Sequence, residues 1–248
     1  MTQVLLITGG SRGIGAATAL LAAQRGYAVA VNYASNSLAA DEVVRAIRAA
    51  GGTAISVQAD VGDEAQVKSM FEKIDAKLGR LTALVNNAGV VDVQARVDEM
   101  SVERLERMFR INVIGSFVCV REAVRRMSTR YGGSGGAIVN LSSAAARLGS
   151  PGQYVDYAAA KGAIDSFTIG LAKEVAEEGI RVNAVRPGLI ATQIHASGGM
   201  PNRAFDLAST VPMKRVGSAQ EIAEAIVWLL SPAASYVTAT MLDVTGGR

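Results

Sequence analysis

VLLITGGSRGIGAATALLAAQRG, residues 4–26, decides the fold. Its first five residues, VLLIT, are an apolar run suited to a buried strand. TGGSRGIG at 8–15 is a glycine-rich turn, and the AATALLAAQRG that follows has helical character. Strand, tight turn and helix in succession open a βαβ unit. Gly9 lets the chain turn at the strand end, Gly13 lets the backbone come close to a phosphate, and Gly15 lets the helix pack closely on the sheet. The helix N-terminus would then present free N–H groups and its positive dipole end to a pyrophosphate. The spacing is G-x-x-x-G-x-G, which departs from the common G-x-G-x-x-G fingerprint. On this stretch alone, a turn with purely structural duties stays open.

The same alternation runs through the whole chain. Apolar runs suited to parallel strands recur as VLLIT 4–8, YAVAVNY 27–33, TAISVQ 53–58, ALVNN 83–87, GAIVNLS 136–142, IRVNAV 180–185 and ATMLDV 239–244. Helix-period segments lie between them at 14–25, 38–50, 63–78, 101–128, 157–177 and 219–230. The expectation is one α/β domain over residues 1–248, a doubly wound seven-stranded parallel sheet with helices on both faces. One segment breaks the rhythm. ATQIHASGGMPNRAFDLASTVPM, 191–213, carries two prolines, paired glycines and weak periodicity, and reads as a substrate lid.

Composition narrows the functional classes. With 248 residues, half of them hydrophobic, the chain can build one substantial core. The net charge of +3 comes from a slight excess of basic residues and not from a basic tract. Arg121, Arg125, Arg126 and Arg130 fall on one side of a helix without interleaved aromatics, so a solvated or subunit-facing stripe is expected and nucleic acid is not. A single cysteine, Cys119, in apolar surroundings, and a single histidine, His195, leave no thiolate or histidine-rich metal site to build. The short apolar N-terminus lacks a basic leader and reads as a first strand, not a signal peptide. No apolar run is long enough to span a membrane. A cytoplasmic protein without a metal or membrane partner is expected.

The end of the second strand bears on the cofactor. NAD binders commonly place an acid there for the ribose 2′-hydroxyl. Here the strand ends VNYAS, with no carboxylate. Arg12 can pair with a 2′-phosphate, and Ser11, Asn32 and Ser35 can hydrogen-bond it. Tyr33 and Ala34 flank the same place, and Ile14 lies within the turn. NADP(H) is therefore favoured over NAD(H).

YAAAK at 157–161 places Tyr157 and Lys161 one helical turn apart, on one face. A tyrosine needs its pKa lowered to exchange protons near neutrality, and a nearby cation favours the phenolate. Alone, the pair is a weak signal. With the glycine turn and NNAG at 86–89, it resembles the short-chain dehydrogenases/reductases. Asp60 after the third strand, Asn112 in INVIGSF, NLSS ending at Ser143 and PGLIAT at 187–192 extend the resemblance in order across the chain.

The resemblance implies a single-domain Rossmann fold and a set of roles. Tyr157 would be the general acid/base. Lys161 would lower its pKa and bond the nicotinamide ribose. Ser143 would hold the substrate oxygen, an oxyanion-hole duty. Asn112 would hold a water linking Lys161 to a proton relay. Gly9, Gly13 and Gly15 would shape the phosphate site, and Asp60 with the Val61 backbone would meet the adenine. Asn87, Ala88 and Gly89 would line the adenine ribose side and steady the sheet. Pro187, Gly188, Ile190 and Thr192 would border the nicotinamide. In the family the second serine of the SS pair is usual, and residues alternate in facing along a strand, so Ser143 is preferred to Ser142. Tyr154 has no lysine four residues on and is assigned to the pocket wall.

Within the family the chain most resembles the bacterial branch of 3-oxoacyl-(acyl-carrier-protein) reductases and glucose 1-dehydrogenase-like enzymes. The activity implied is hydride transfer between NADP(H) and a carbonyl or hydroxyl carbon. A 3-oxoacyl thioester, a sugar and another ketone or secondary alcohol all stay open as substrates. Specificity is expected in the lid and in loops 93–98 and 144–154. His195 sits on the lid as a polar loop residue that could contact substrate. An NAD(P)(H)-binding sensor or scaffold with little turnover is the alternative function. Assembly as a homotetramer is expected through helices 101–128 and 157–177 and through the C-terminal stretch.

Overall fold

A computed structural model describes residues 3–248, apart from the side chains of His195 and Ser197. Seven strands form one parallel sheet: β1 (Gln3–Ile7), β2 (Tyr27–Tyr33), β3 (Ala54–Gln58), β4 (Ala83–Asn86), β5 (Gly136–Leu141), β6 (Ile180–Pro187) and β7 (Met241–Val244). Their order across the sheet is β3-β2-β1-β4-β5-β6-β7. The order reverses between β1 and β4, and ligands bind in such sheets at that crevice, beyond the carboxyl ends of the strands.

Alternation along each strand builds two cores. Leu5, Ile7, Val29, Val31, Val85 and Val139 face helices α1 (Gly13–Gln24), α2 (Ser37–Ala49) and α10 (Ala219–Leu230). Val4, Leu6, Ala30, Leu84, Ile138 and Val182 face the other way, onto α3 (Glu64–Leu78), α5 (Gly115–Met127) and α7 (Val155–Val175). Each strand is thus apolar on both faces, as a doubly covered parallel sheet requires. Phe71 of α3 is completely buried, and such a side chain contributes about 1.5–3 kcal/mol.

Most sequence-derived elements match to within a residue or two; one differs in kind. The single helix expected over 101–128 is α4 (Val102–Phe109), a wide π-turn (Arg110–Ile114) and α5. The Gly115 N–H reaches back to the Arg110 carbonyl, five residues earlier. Gly115 also lies against β3's exit, where a Cβ would sit 2.8 Å from the Val61 carbonyl.

The arginine cluster is tied within the molecule. Arg126 bonds Asp75 at 2.7 Å and Glu122 at 3.1 Å, and stacks over Phe71. Arg121 bonds Glu64 at 2.7 Å, and Arg125 bonds Glu122 at 2.9 Å. Arg121 and Arg126 staple α5 to α3, while Arg125 and Arg130 stay exposed to solvent. Cys119 is fully buried, and burial pushes its thiol up to about 12, so the thiolate form is suppressed. Among the described residues no helix is long and apolar enough to cross a membrane.

Candidate active site

The phosphate turn is built by a strap between its own backbone and the loop after β4. The Asn87 amide donates to the Thr8 and Gly9 carbonyls, each at 2.9 Å. The buried Thr8 hydroxyl accepts the N–H groups of Asn87 and Ala88, both at 3.0 Å. Gly9 and Gly13 have φ of +60° and +54°, where a side chain would be strained. A Cβ on Gly15 would lie 2.7 Å from Asn87 Nδ2. The first turn of α1 has no side-chain cap and no acidic residue. Its leading N–H groups therefore face the cleft, a fit for a phosphate.

A trough runs from this turn past the ends of β2 and β3. It is lined by Ser11, Arg12, Gly13, Ile14, Asn32, Tyr33, Ala34, Ser35, Asp60, Val61, Ala88 and Gly89. Arg12 is exposed there, with no carboxylate partner among the described residues. Asp60 is the one acid in the lining, and its Oδ1 accepts the Gly62 N–H at 2.8 Å.

Asn32 corrects an expectation. Its side chain is turned into the protein, not toward a 2′-phosphate. Oδ1 accepts the Gly9 N–H at 3.1 Å, and Nδ2 donates to the Val57 and Ala59 carbonyls at 3.3 and 3.0 Å. One buried amide therefore joins the phosphate turn to β3.

The trough opens into a cavity of about 430 Å³. Both share Ile14, Asn87, Gly89 and Thr192, so the cleft is continuous. Ser143, Tyr157, Lys161, Pro187, Gly188 and Ile190 line the cavity. Strand alternation separates the two serines. Ser142 is buried and donates to the Lys161 carbonyl at 3.2 Å, while Ser143 is half-buried on the cavity wall. Gly188 lies on the cavity wall, where a Cβ would meet Thr245 Cα at 2.8 Å.

Lys161 reaches across to β5. Its Nζ donates to the Leu141 carbonyl at 2.6 Å and lies 5.6 Å from the centre of the Tyr157 ring. Burial depresses the ammonium to about 8, with Asp165 opposing the shift. Burial pushes the Tyr157 phenol up to about 12, against a lowering by its hydrogen bond with Ser143. The lowering expected from Lys161 is not among the causes acting on Tyr157; desolvation dominates, and the protonated form is favoured.

Asn112 lies fully buried within the π-turn. Its amide sits on the π-turn and exchanges bonds with Val90, accepting its N–H at 3.1 Å and donating to its carbonyl at 3.0 Å. It also donates to the Met108 carbonyl at 3.0 Å. Fully buried and satisfied, this side chain clamps the loop after Gly89 and has no donor aimed at Lys161. Gly89 allows the approach: a Cβ there would lie 2.7 Å from Asn112 Oδ1.

Two supporting groups were not singled out from sequence. Asp156, beside Tyr157, is buried and pairs with Arg104 of α4 at 2.8 Å. It also accepts the Tyr157 N–H at 2.9 Å, so it fixes the start of α7. An acid in a first helical turn was the available signal. Asn86, Asn140 and Thr168 form a buried chain from β4 through β5 to α7, each link 3.0 Å. Nothing in an apolar strand pattern marks that partnership.

The segment expected to act as a lid forms two short helices, α8 (Ile194–Ser197) and α9 (Arg203–Asp206). Its base is clamped where Ile190 pairs with Gly217. The His195 side chain, a candidate substrate contact, lies outside the described residues. Ile194 and Arg203 line the cavity, while Phe205 and Met200 are exposed.

Comparison with known proteins agrees with this architecture. A family model described as enoyl-(acyl carrier protein) reductase matches residues 9–248. An uncharacterized oxidoreductase, YgfF, of Escherichia coli is 59% identical over 99% of both chains. A 3-oxoacyl-[acyl-carrier-protein] reductase of Synechocystis is 40% identical over 99% of this chain and 96% of its own. The solved structure of a Serratia marcescens short-chain dehydrogenase/reductase variant superposes with a TM-score of 0.90 at 34% identity, covering 99% of this chain and 97% of that one. Family membership implies an NAD(P) dinucleotide. The chain belongs to the short-chain dehydrogenases/reductases and is an oxidoreductase of that family.

Proposed function

We propose that the protein is an NADP(H)-dependent oxidoreductase that moves a hydride between nicotinamide and the carbonyl or hydroxyl carbon of a small substrate. The observation that carries this reading is the continuous cleft. A phosphate turn with an unpaired Arg12 leads directly to Ser143, Tyr157 and Lys161. When bound, the dinucleotide supplies the hydride; the chain supplies orientation, the proton and electrostatics.

The division of labour follows from the side chains. The α1 N-terminus and Gly13 hold the phosphates, and Arg12 with Ser11 and Ser35 favours a 2′-phosphate. Ser143 donates a hydrogen bond to the substrate oxygen as charge develops there. Tyr157, kept protonated by burial, gives its proton to that oxygen in reduction and takes it back in oxidation. Lys161 orients the site through its ammonium, anchored on Leu141. Apolar walls from Val91, Leu148 and Leu189 suit a modest, partly apolar substrate.

Assembly as a homotetramer is part of this reading. It is supported by apolar side chains left open on the π-turn and α5, Ile114 at 55% and Phe117 at 46% exposure, and by Trp228 at 43% on α10. Light scattering reads the oligomer directly.

The deciding experiment follows NADPH and NADH oxidation by the purified protein with a panel of ketones and aldehydes. Turnover with NADPH preferred is expected. Dinucleotide binding without turnover on any compound would favour a sensor instead, and tighter NADH binding would overturn the role given to Arg12.

A further inference from the structure

Arg203 is a cation held over the substrate cavity without an anion. It begins α9 of the lid and lines the same cavity as Tyr157. Its guanidinium lies 5.3 Å from the centre of the Tyr154 ring, and its Nη2 donates to the Gln153 side chain at 2.6 Å. Its Nε is buried and has no hydrogen-bond partner. No aspartate or glutamate lines this cavity, and among the described residues none forms an ion pair with Arg203.

The Nε donor is buried without an acceptor, which is costly, and Gln153 satisfies only Nη2. The positions held by Tyr154 and Gln153 are neutral, so they orient the group without discharging it. What is missing is an oxygen acceptor bearing negative charge, and a carboxylate matches the planar guanidinium best. We propose that Arg203 binds a carboxylate on the substrate, so that the carbonyl compound reduced here is an oxo acid. This inference rests on the oxidoreductase reading of the same cavity.

Matched probes test this. Kinetics and calorimetric binding would be measured for 4-oxopentanoate and 5-oxohexanoate, each against its methyl ester, in wild-type enzyme and in Arg203→Met and Arg203→Lys. The wild type is expected to prefer acid over ester by about tenfold to a hundredfold in kcat/KM. In Arg203→Met that ratio falls toward one, through KM for the acid and not through kcat, and Arg203→Lys restores part of it. An equal acid-to-ester ratio in wild type and Arg203→Met, in both binding and turnover, overturns the carboxylate site. Acid-selective binding that depends on Arg203 with no turnover of acid or ester keeps the site and sinks the oxidoreductase reading instead.

Discussion

Lys161 Nζ donates to the Leu141 carbonyl at 2.6 Å, tying the buried middle of one helix turn to the last residue of β5. The bond gives a nearly inaccessible ammonium its acceptor and aims it at the cleft, one turn from Tyr157. A cation in that position is costly to keep charged, so its protonation is coupled to folding.

The consequence for stability has a definite sign. Lys161 falls from its usual 10.5 to about 8, so between those values the unfolded chain binds more protons than the folded one. Stability from this group therefore rises with pH across that window. In urea titrations, wild type should gain on Lys161→Met as pH goes from 8 to 10, by at most roughly 3 kcal/mol. A difference that stays flat or shrinks across this range would show that burial does not depress the ammonium.

Tyr157→Phe removes the proton donor and leaves the ring. Turnover should fall by about 10²–10⁴-fold while NADPH binding, read by fluorescence, changes little. Activity near the wild-type level would end the role proposed for Tyr157.

Gly15→Ala places a methyl 2.7 Å from Asn87 Nδ2, in the strap that shapes the phosphate turn. The crowding should cost about 1–3 kcal/mol and raise KM for the dinucleotide. A thermal midpoint and KM both unchanged would mean the turn relaxes freely.

Arg12→Gln should lower the NADPH-to-NADH preference by about tenfold or more, the loss of a charge-assisted bond to phosphate. The effect should shrink with added salt. The ratio of the two dissociation constants is the measurement, and an unchanged ratio would place 2′-phosphate recognition elsewhere.

Asn32→Ala is expected to act on stability before coenzyme choice. It strips the donor from two buried carbonyls, Val57 and Ala59, and the acceptor from the Gly9 N–H. A loss of about 1–3 kcal/mol is expected by chemical denaturation. A pure change in NADPH affinity with no loss of stability would return Asn32 to the phosphate site.

Much of the candidate site was legible because its chemistry is carried by short strings. TGGSRGIG, NNAG and YAAAK each state a local geometry, and just beyond β5 Ser143 lines the cavity while Ser142 is tied inward. The failures share one cause. Asn32 was given an outward task from its residue type, yet its amide spends its hydrogen bonds on backbone groups far away in sequence. Asp156 and Thr8 went unnoticed for the same reason: their partners, Arg104 and the Asn87–Ala88 backbone, are distant in the chain.

The sequence by itself determined the sheet, the phosphate turn and the residues that meet at its crevice, because strand and helix periods and glycine turns are local properties. Tertiary structure alone decided which polar groups face the cleft and which are spent holding it together. It also set the direction at Tyr157, where burial outweighs the hydrogen bond with Ser143, and it left Arg203 over the cavity without an ion-pair partner. Desolvation and long-range hydrogen bonding depend on what surrounds a side chain in space, and no spacing along the chain records that.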